Sequence, residues 1–435
     1  MITADLDALF LSLLQLHPDP VTQQAALARL SAADGEALVA KAIDQKVVGL
    51  VYQNLQALPQ GTVPEAMLTP LRAASQRAAR FNLTLVRELK TILAALNRAT
   101  IPVIVLKGAY LAQAIYPQLH LRQMGDMDLL VPQDRVIEAY ALVQSLGYGL
   151  DDPSMTDLDD TPLEIALTLA QGNHLTPLRR GPGLPLVELH WTLCYAEEAG
   201  NFSLTEIWQR AQLENFWGES ARVLAPEDLI LHLCHHAAYH HQFDMGLRGV
   251  MDISRVVDRF GGQLDWGALQ RTAEAWGWQR GVYLTLALTQ AMFGLSVPAP
   301  ITQAIQAVLP NPGFVDQTQA LVLQPKVVHR SLTRVLSQKA ADQASALTPI
   351  QRLGRTLQRT FPSPQHMAEL YAIPPSYLSP DLYRLYWARL RAYGAYKTQA
   401  IADTRRHRQV WQLTEAQQPD MARHKTDLHQ WLTSP

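Results

Sequence analysis

The first hundred residues repeat apolar side chains at intervals of three and four. "TQQAALARL" (22–30), "GEALVAKAIDQKVVGLVYQNLQAL" (35–58) and "FNLTLVRELKTILAALNRA" (81–99) each gather their Leu, Val, Ile and Ala on one helical stripe. The period changes at 101. "IPVIVLKG" is a short run rich in β-branched residues and reads as a strand. "AYLAQAIY" fits one short helix, "MDLLV" (127–131) a second strand, and "QDRVIEAYALVQSLGY" a helix that stops at Gly147. The predicted order from 101 to 148 is therefore strand, helix, strand, helix.

"DDPSMTDLDDTP" (151–162) is acidic and turn-rich, a surface loop by pattern. Beyond it, "HLTPLRR" and "LPLVELHWTL" flank Gly181-Pro182-Gly183, as the arms of a β-hairpin would. The second arm alternates Val187, Leu189 and Trp191 with Glu188 and His190, so the two sets face opposite sides. Helical periodicity returns at "PEDLILHLCHHAAYHH" (226–241), which opens with Pro and two acids, and continues through "GLRGVMDISRVVDRF", "DWGALQRTAEAWG" and "RGVYLTLALTQAMFG". Residues 326–435 are helical in character but loosely patterned. Four regions follow: helices over 1–98, a core with strands over 99–222, helices over 223–325 and an extension over 326–435 with a polar tail. The fold class is α+β, a small mixed sheet flanked by helical regions.

The chain has 435 residues, 48% apolar and 17% charged, enough for ordinary cores and more than one domain. A net charge of -2 gives no global field for nucleic acid or an anionic membrane. Cys194 and Cys234 lack zinc-type spacing and suit a reducing compartment. "MITADLDALFLSLLQL" has no basic residue before its apolar part, and no segment is long enough to span a membrane, so a cytoplasmic location is expected.

Against that background two carboxylates stand out. Asp126 and Asp128 are two apart at the second strand, so they project to one side, while Met127 and Leu129 face the other. Burying two ionised carboxylates unpaired costs several kcal/mol, and a divalent cation such as Mg²⁺ relieves that cost with oxygen ligands. Glu188, on the hairpin arm, is a third acid for a strand beside the pair. Three acids on neighbouring strands suit two metals arranged for in-line displacement at phosphorus. Lys107-Gly108 sits where the first strand meets a helix. There Gly lets a ligand approach the backbone, free N–H groups favour an anion, and the ammonium neutralises phosphate oxygens. Arg122 is within reach of the same place, or of Asp134 or Glu138. His190 alternates onto the face of Glu188 and is a pocket candidate.

The turn, "R-x-x-G-D-x-D-L-L-V" and the later acidic strand resemble the DNA polymerase β-type nucleotidyltransferase superfamily. More narrowly, "LKGAYLA…GDMDLLV…LGY" with "VELHW" and a helical tail resembles the uncharacterised nucleotidyltransferase family of bacteria. The resemblance implies two Mg²⁺ ions, or Mn²⁺, at Asp126, Asp128 and Glu188, and a nucleoside triphosphate such as ATP over Lys107, Gly108 and Arg122. It further implies attack on the α-phosphorus by a hydroxyl of a small molecule, RNA or protein, with loss of pyrophosphate. Two departures stand: Lys-Gly replaces the superfamily's usual Gly-Ser, and Glu188 replaces the commoner Asp.

Two other readings stay open. The altered turn also suits a catalytically silent protein that binds nucleotide. His232, His236 and His240 fall at i, i+4 and i+8, with His235 and His241 beside them, a spacing able to offer imidazoles to a transition metal, with Asp244, Asp252 or His174 as further ligands. His236 otherwise belongs to a pocket wall.

Overall fold

The computed structural model describes residues 3–15, 18–150, 172–195, 198, 200–326, 328, 335–336, 383–384, 386–387, 402 and 405–433. The acidic stretch 151–162 lies outside them. Helices come first, as their stripes require: Thr3–Ser12, Pro20–Leu27, Ala32–Asp44, Val48–Gln56 and the 34-residue Glu65–Arg98. Their starts are chemically marked. Asp19 accepts from the Val21 N–H before Pro20, and Ser31 forms a reciprocal capping box with Asp34. The fifth helix begins well before the 81–99 stripe and carries Pro70 in its second turn.

Among the described residues seven strands form one mixed sheet: β1 (Ile104–Val105), β2 (Asp126–Leu130), β3 (Gly149–Leu150), β4 (Leu178–Arg179), β5 (Leu186–His190), β6 (Gln212–Phe216) and β7 (Glu219–Val223). Their spatial order is β3-β4-β5-β2-β1-β7-β6. β2 runs antiparallel to β1 and parallel to β5, and β7 runs parallel to β1. The expected strand-helix-strand-helix order holds, with the helix Val136–Ser145 fourth. So does the hairpin, with Leu178 opposite Val187 and Arg179 opposite Leu186. The fold is α+β, as the pattern predicts.

The β6–β7 hairpin was not foreseen. Its two-residue turn is Trp217-Gly218, with φ of 51° and 102°, the left-handed pairing that matches strand twist. Asn215 Oδ1 accepts from the Gly218 N–H at 2.8 Å and closes it. "NFWGES" carried that signal in its glycine.

Two apolar cores hold the chain. One packs the sheet, through residues such as Leu129, Leu130, Leu189 and Trp191, against the C-terminal half of Glu65–Arg98 and the later helices. The other joins the N-terminal helices to residues from Phe243 to Phe293 and to the helix Pro419–Thr433 through Leu428 and Leu432. No helix among the described residues is long and apolar enough to cross a membrane.

Candidate active site

The site grows from the junction of β1 and β2. The Leu106 N–H donates to the Asp128 carbonyl at 3.0 Å, which holds the strands together to the end of β1. The chain then turns at Lys107 with φ of 35°, into a short helix Lys107–Tyr110 continued by a π-helical turn Leu111–Ile115. A non-glycine residue at positive φ costs on the order of 1–3 kcal/mol. The turn brings the Lys107 side chain back over the strand end, with Nζ 3.0 Å from Asp128 Oδ1. A Cβ at Gly108 would stand 3.2 Å from Arg122 Nη1, so the guanidinium would have to give by a few tenths of an ångström.

Register does the rest. In the parallel pairing Asp126 lies opposite Leu186, and Asp128 opposite Glu188. Alternation therefore presents Asp126, Asp128 and Glu188 on one side, while Met127, Val187 and Leu189 are buried in the core on the other. His190, two residues beyond Glu188, closes the group: its Nε2 is 3.2 Å from Asp128 Oδ1 and 3.5 Å from Glu188 Oε2. Ligand atoms of Asp128, Glu188 and His190 all lie within 4.8 Å of one another.

Electrostatics separates the two aspartates. Burial raises the Asp126 pKa, and the neighbouring Asp128 charge adds to it. Burial works the same way on Asp128, but the Lys107 charge and the His190 ring outweigh it and hold the carboxyl well below the usual range. Burial would lower His190, yet its contacts with Asp128 and Glu188 prevail and hold the imidazole above its ordinary value. The ring packs against His174, with centroids 5.0 Å apart.

These groups open on a cavity of about 390 Å³. Lys107, Gly108, Arg122, Asp126, Asp128, Glu188, His190 and His236, the candidates named from sequence, all line it. Arg122 does so with its guanidinium engaged elsewhere: Nε and Nη2 donate to Asp252 at 2.9 and 2.7 Å, and Nη1 to the Gly108 carbonyl at 3.3 Å. Its acid is Asp252, on the helix Leu247–Phe260, rather than Asp134 or Glu138; Arg135 takes Glu138. Lys46 and Arg248 also line the cavity and had no sequence signal, since neither belongs to a motif. Arg248 Nη1 donates to the Gln123 carbonyl at 2.6 Å, and its charge acts on Asp126.

The histidine line predicted from i, i+4 and i+8 is kept only as loose ring contacts, with His232 and His236 centroids 6.2 Å apart and those of His236 and His240 5.8 Å. The helix Pro226–His235 gives way to a π-helical turn, His236–His240, which admits an extra residue and rotates the later rings. His235 and His240, five apart, meet instead, with Glu198 completing the group. His236 Nε2 lies 3.1 Å from His241 Nε2. The further ligands suggested for the line are engaged elsewhere: Asp252 with Arg122, Asp244 with His241 at 3.2 Å, and His174 against His190.

The acidic side chains at this end of β2 and β5 offer oxygens to a cation. Asp126 is half-buried at the start of the central strand β2, accepts no hydrogen bond and makes no ion pair among the described residues, so its carboxylate is available. Asp128 and Glu188 supply further hard oxygens beside it. Asp128, Glu188 and His190 form a group that could hold a metal ion, with the Asp126 carboxylate on the same side of β2.

Neither a curated protein nor a solved structure matches the chain. A family model described as "uncharacterised nucleotidyltransferase" matches residues 31–294, from the third helix through the sheet to the histidine-bearing helix and beyond. That span covers more than half of the sequence and takes in every candidate at the cavity. The chain belongs to this nucleotidyltransferase family, whose members are transferases of phosphorus-containing groups.

Proposed function

We propose that the protein transfers a nucleoside monophosphate from a nucleoside triphosphate, ATP among the candidates, to a hydroxyl of a small molecule, RNA or protein. The observation that carries this reading is the Asp128–Glu188 register, with Asp126 on the same side and the Lys107-Gly108 turn in front. Asp126, Asp128 and Glu188 would hold Mg²⁺ or Mn²⁺, two ions by analogy with the superfamily; when bound, the ions neutralise charge on the transferring phosphoryl group.

The chain's own groups divide the remaining work. Lys107, the Gly108 backbone and the neighbouring cations Lys46 and Arg248 bind the triphosphate oxygens. Arg122 serves nucleotide binding by fixing the Gly108 turn from behind. The acceptor oxygen forms a bond to the α-phosphorus, the bond to the bridging oxygen breaks, and pyrophosphate leaves with that electron pair. Glu188, at the open side of the cluster, takes the hydroxyl proton. His190 holds Asp128 and Glu188 in place, and His236 forms part of the acceptor wall. The test is incubation with each labelled triphosphate, Mg²⁺ and a cell extract. Label moves to an acceptor with the natural chain and stays put with Asp128→Ala; transfer undiminished in that variant defeats the proposal.

One observation favours a second reading. Lys107 Nζ already pairs with Asp128 at 3.0 Å, where a metal would otherwise neutralise it. A silent nucleotide-binding protein would exploit that pair. It would bind triphosphate equally well with and without Mg²⁺ and release no pyrophosphate.

A further inference from the structure

Beside the proposed phosphate site lies a second cluster of ligand atoms that the transfer reaction does not use. We infer that Glu198, His235 and His240 form a binding site for a zinc-class transition-metal ion, separate from the Asp126–Asp128–Glu188 edge.

Backbone geometry creates it. On a regular α-helix, residues five apart point in clearly different directions. The π-helical turn His236–His240 follows directly on His235, and its wider winding brings residues five apart back to one side. The two rings stand 4.9 Å apart and edge to face. Glu198 comes from a separate segment anchored nearby, where its carbonyl accepts from Trp278 Nε1 at 3.0 Å.

The spacing is that of metal ligands. Glu198 Oε2 lies 3.4 Å from His235 Nε2 and 3.3 Å from His240 Nε2. Ligands at about 2.0–2.1 Å around a tetrahedral zinc stand roughly 3.3–3.4 Å from one another. These contacts lack hydrogen-bond alignment: among the described residues neither ring nitrogen of His235 nor Nε2 of His240 has a hydrogen-bond partner. His235 is fully buried, and a buried imidazole with both nitrogens unsatisfied is costly unless something ligates it. Two neutral imidazoles and one carboxylate are borderline donors suited to zinc, and three protein ligands leave a fourth position. His240 lines the 390 Å³ cavity, which supplies the entry path. The ion would tie the Glu198 segment to the wall of the proposed acceptor space.

The experiment uses the full chain, stripped with chelator, then titrated with Zn²⁺ and separately with Co²⁺. The inference expects one tightly held Zn²⁺ per chain and a tetrahedral-type Co²⁺ spectrum. Glu198→Gln and His240→Gln keep side-chain shape, avoiding the cavity that His235→Ala would leave. Each is expected to weaken Zn²⁺ beyond the ~10–100-fold that outer-shell changes bring, while Asp128→Asn leaves Zn²⁺ binding intact. No tight Zn²⁺ in the natural chain overturns the inference, as does binding that survives both Gln variants. Zn²⁺ lost in Asp128→Asn but retained in Glu198→Gln would place the metal at the phosphate site and overturns it too. Pyrophosphate release is read separately, so failure of the nucleotidyl-transfer reading leaves this outcome unaffected.

Discussion

The Arg122–Asp252 pair offers the sharpest test of how the phosphate turn is held. Side-chain exposure is 6% for Arg122 and 3% for Asp252, so water cannot replace either partner. Asp252 Oδ1 accepts from Arg122 Nε at 2.9 Å and Tyr116 Oη at 2.8 Å, and Oδ2 from Arg122 Nη2 at 2.7 Å. Removing one member of such a pair strands a buried charge and costs about 3–5 kcal/mol. Arg122→Met and Asp252→Leu should each lower unfolding free energy in urea by that amount. The double variant leaves no charge stranded, so it should cost about as much as either single, giving a coupling of about 3–5 kcal/mol. Asp252→Asn carries the functional half of the argument. It lies behind the turn, yet it loosens the guanidinium whose Nη1 donates to the Gly108 carbonyl at 3.3 Å. Loss of a hydrogen bond of about 0.5–1.5 kcal/mol should weaken triphosphate binding roughly 2- to 10-fold. Single variants losing under about 1 kcal/mol, or losses that simply add, would refute the reasoning.

Other consequences are as direct. Lys107→Met removes the cation 3.0 Å from Asp128, and direct binding measurements should show triphosphate affinity falling about 10- to 100-fold, the scale of a charged hydrogen bond. Burial pushes Lys425 down to about 7, with Nζ donating to the Gln242 carbonyl at 2.8 Å. Its folded pKa lies below the unfolded value of 10.5, so between the two the unfolded chain holds the extra proton and stability rises with pH. The melting temperature should climb over that window, and Lys425→Met should flatten the climb. Burial, aided by Glu198, pushes the Cys194 thiol up to about 12, and burial raises Cys234 as well. Mass spectrometry should find both unalkylated by iodoacetamide at about pH 8 in the native protein and modified in urea.

Local pattern sufficed where chemistry is local. Alternation along "DMDLL" and "LVELH" placed Asp126 and Asp128 together, and Glu188 with His190, because successive strand residues face opposite sides whatever they pair with. Helical stripes did the same for the described helices before and after the sheet, while most of 326–435 lies outside the described residues, and family membership was legible from the motif alone. The pairing of β2 with β5 depended on the tertiary structure, since no local rule sets which strands become neighbours or in what register. The same holds for Lys46, Arg248 and Asp252, whose places at the cavity, from distant helices or their ends, no local spacing gives. The histidine-rich segment shows the limit most plainly. Its spacing implied one line along an α-helix, but a single π-helical turn rotated His240 towards His235 and Glu198. Whether a helix widens by one residue depends on what packs around it, and that information is spread over the whole fold.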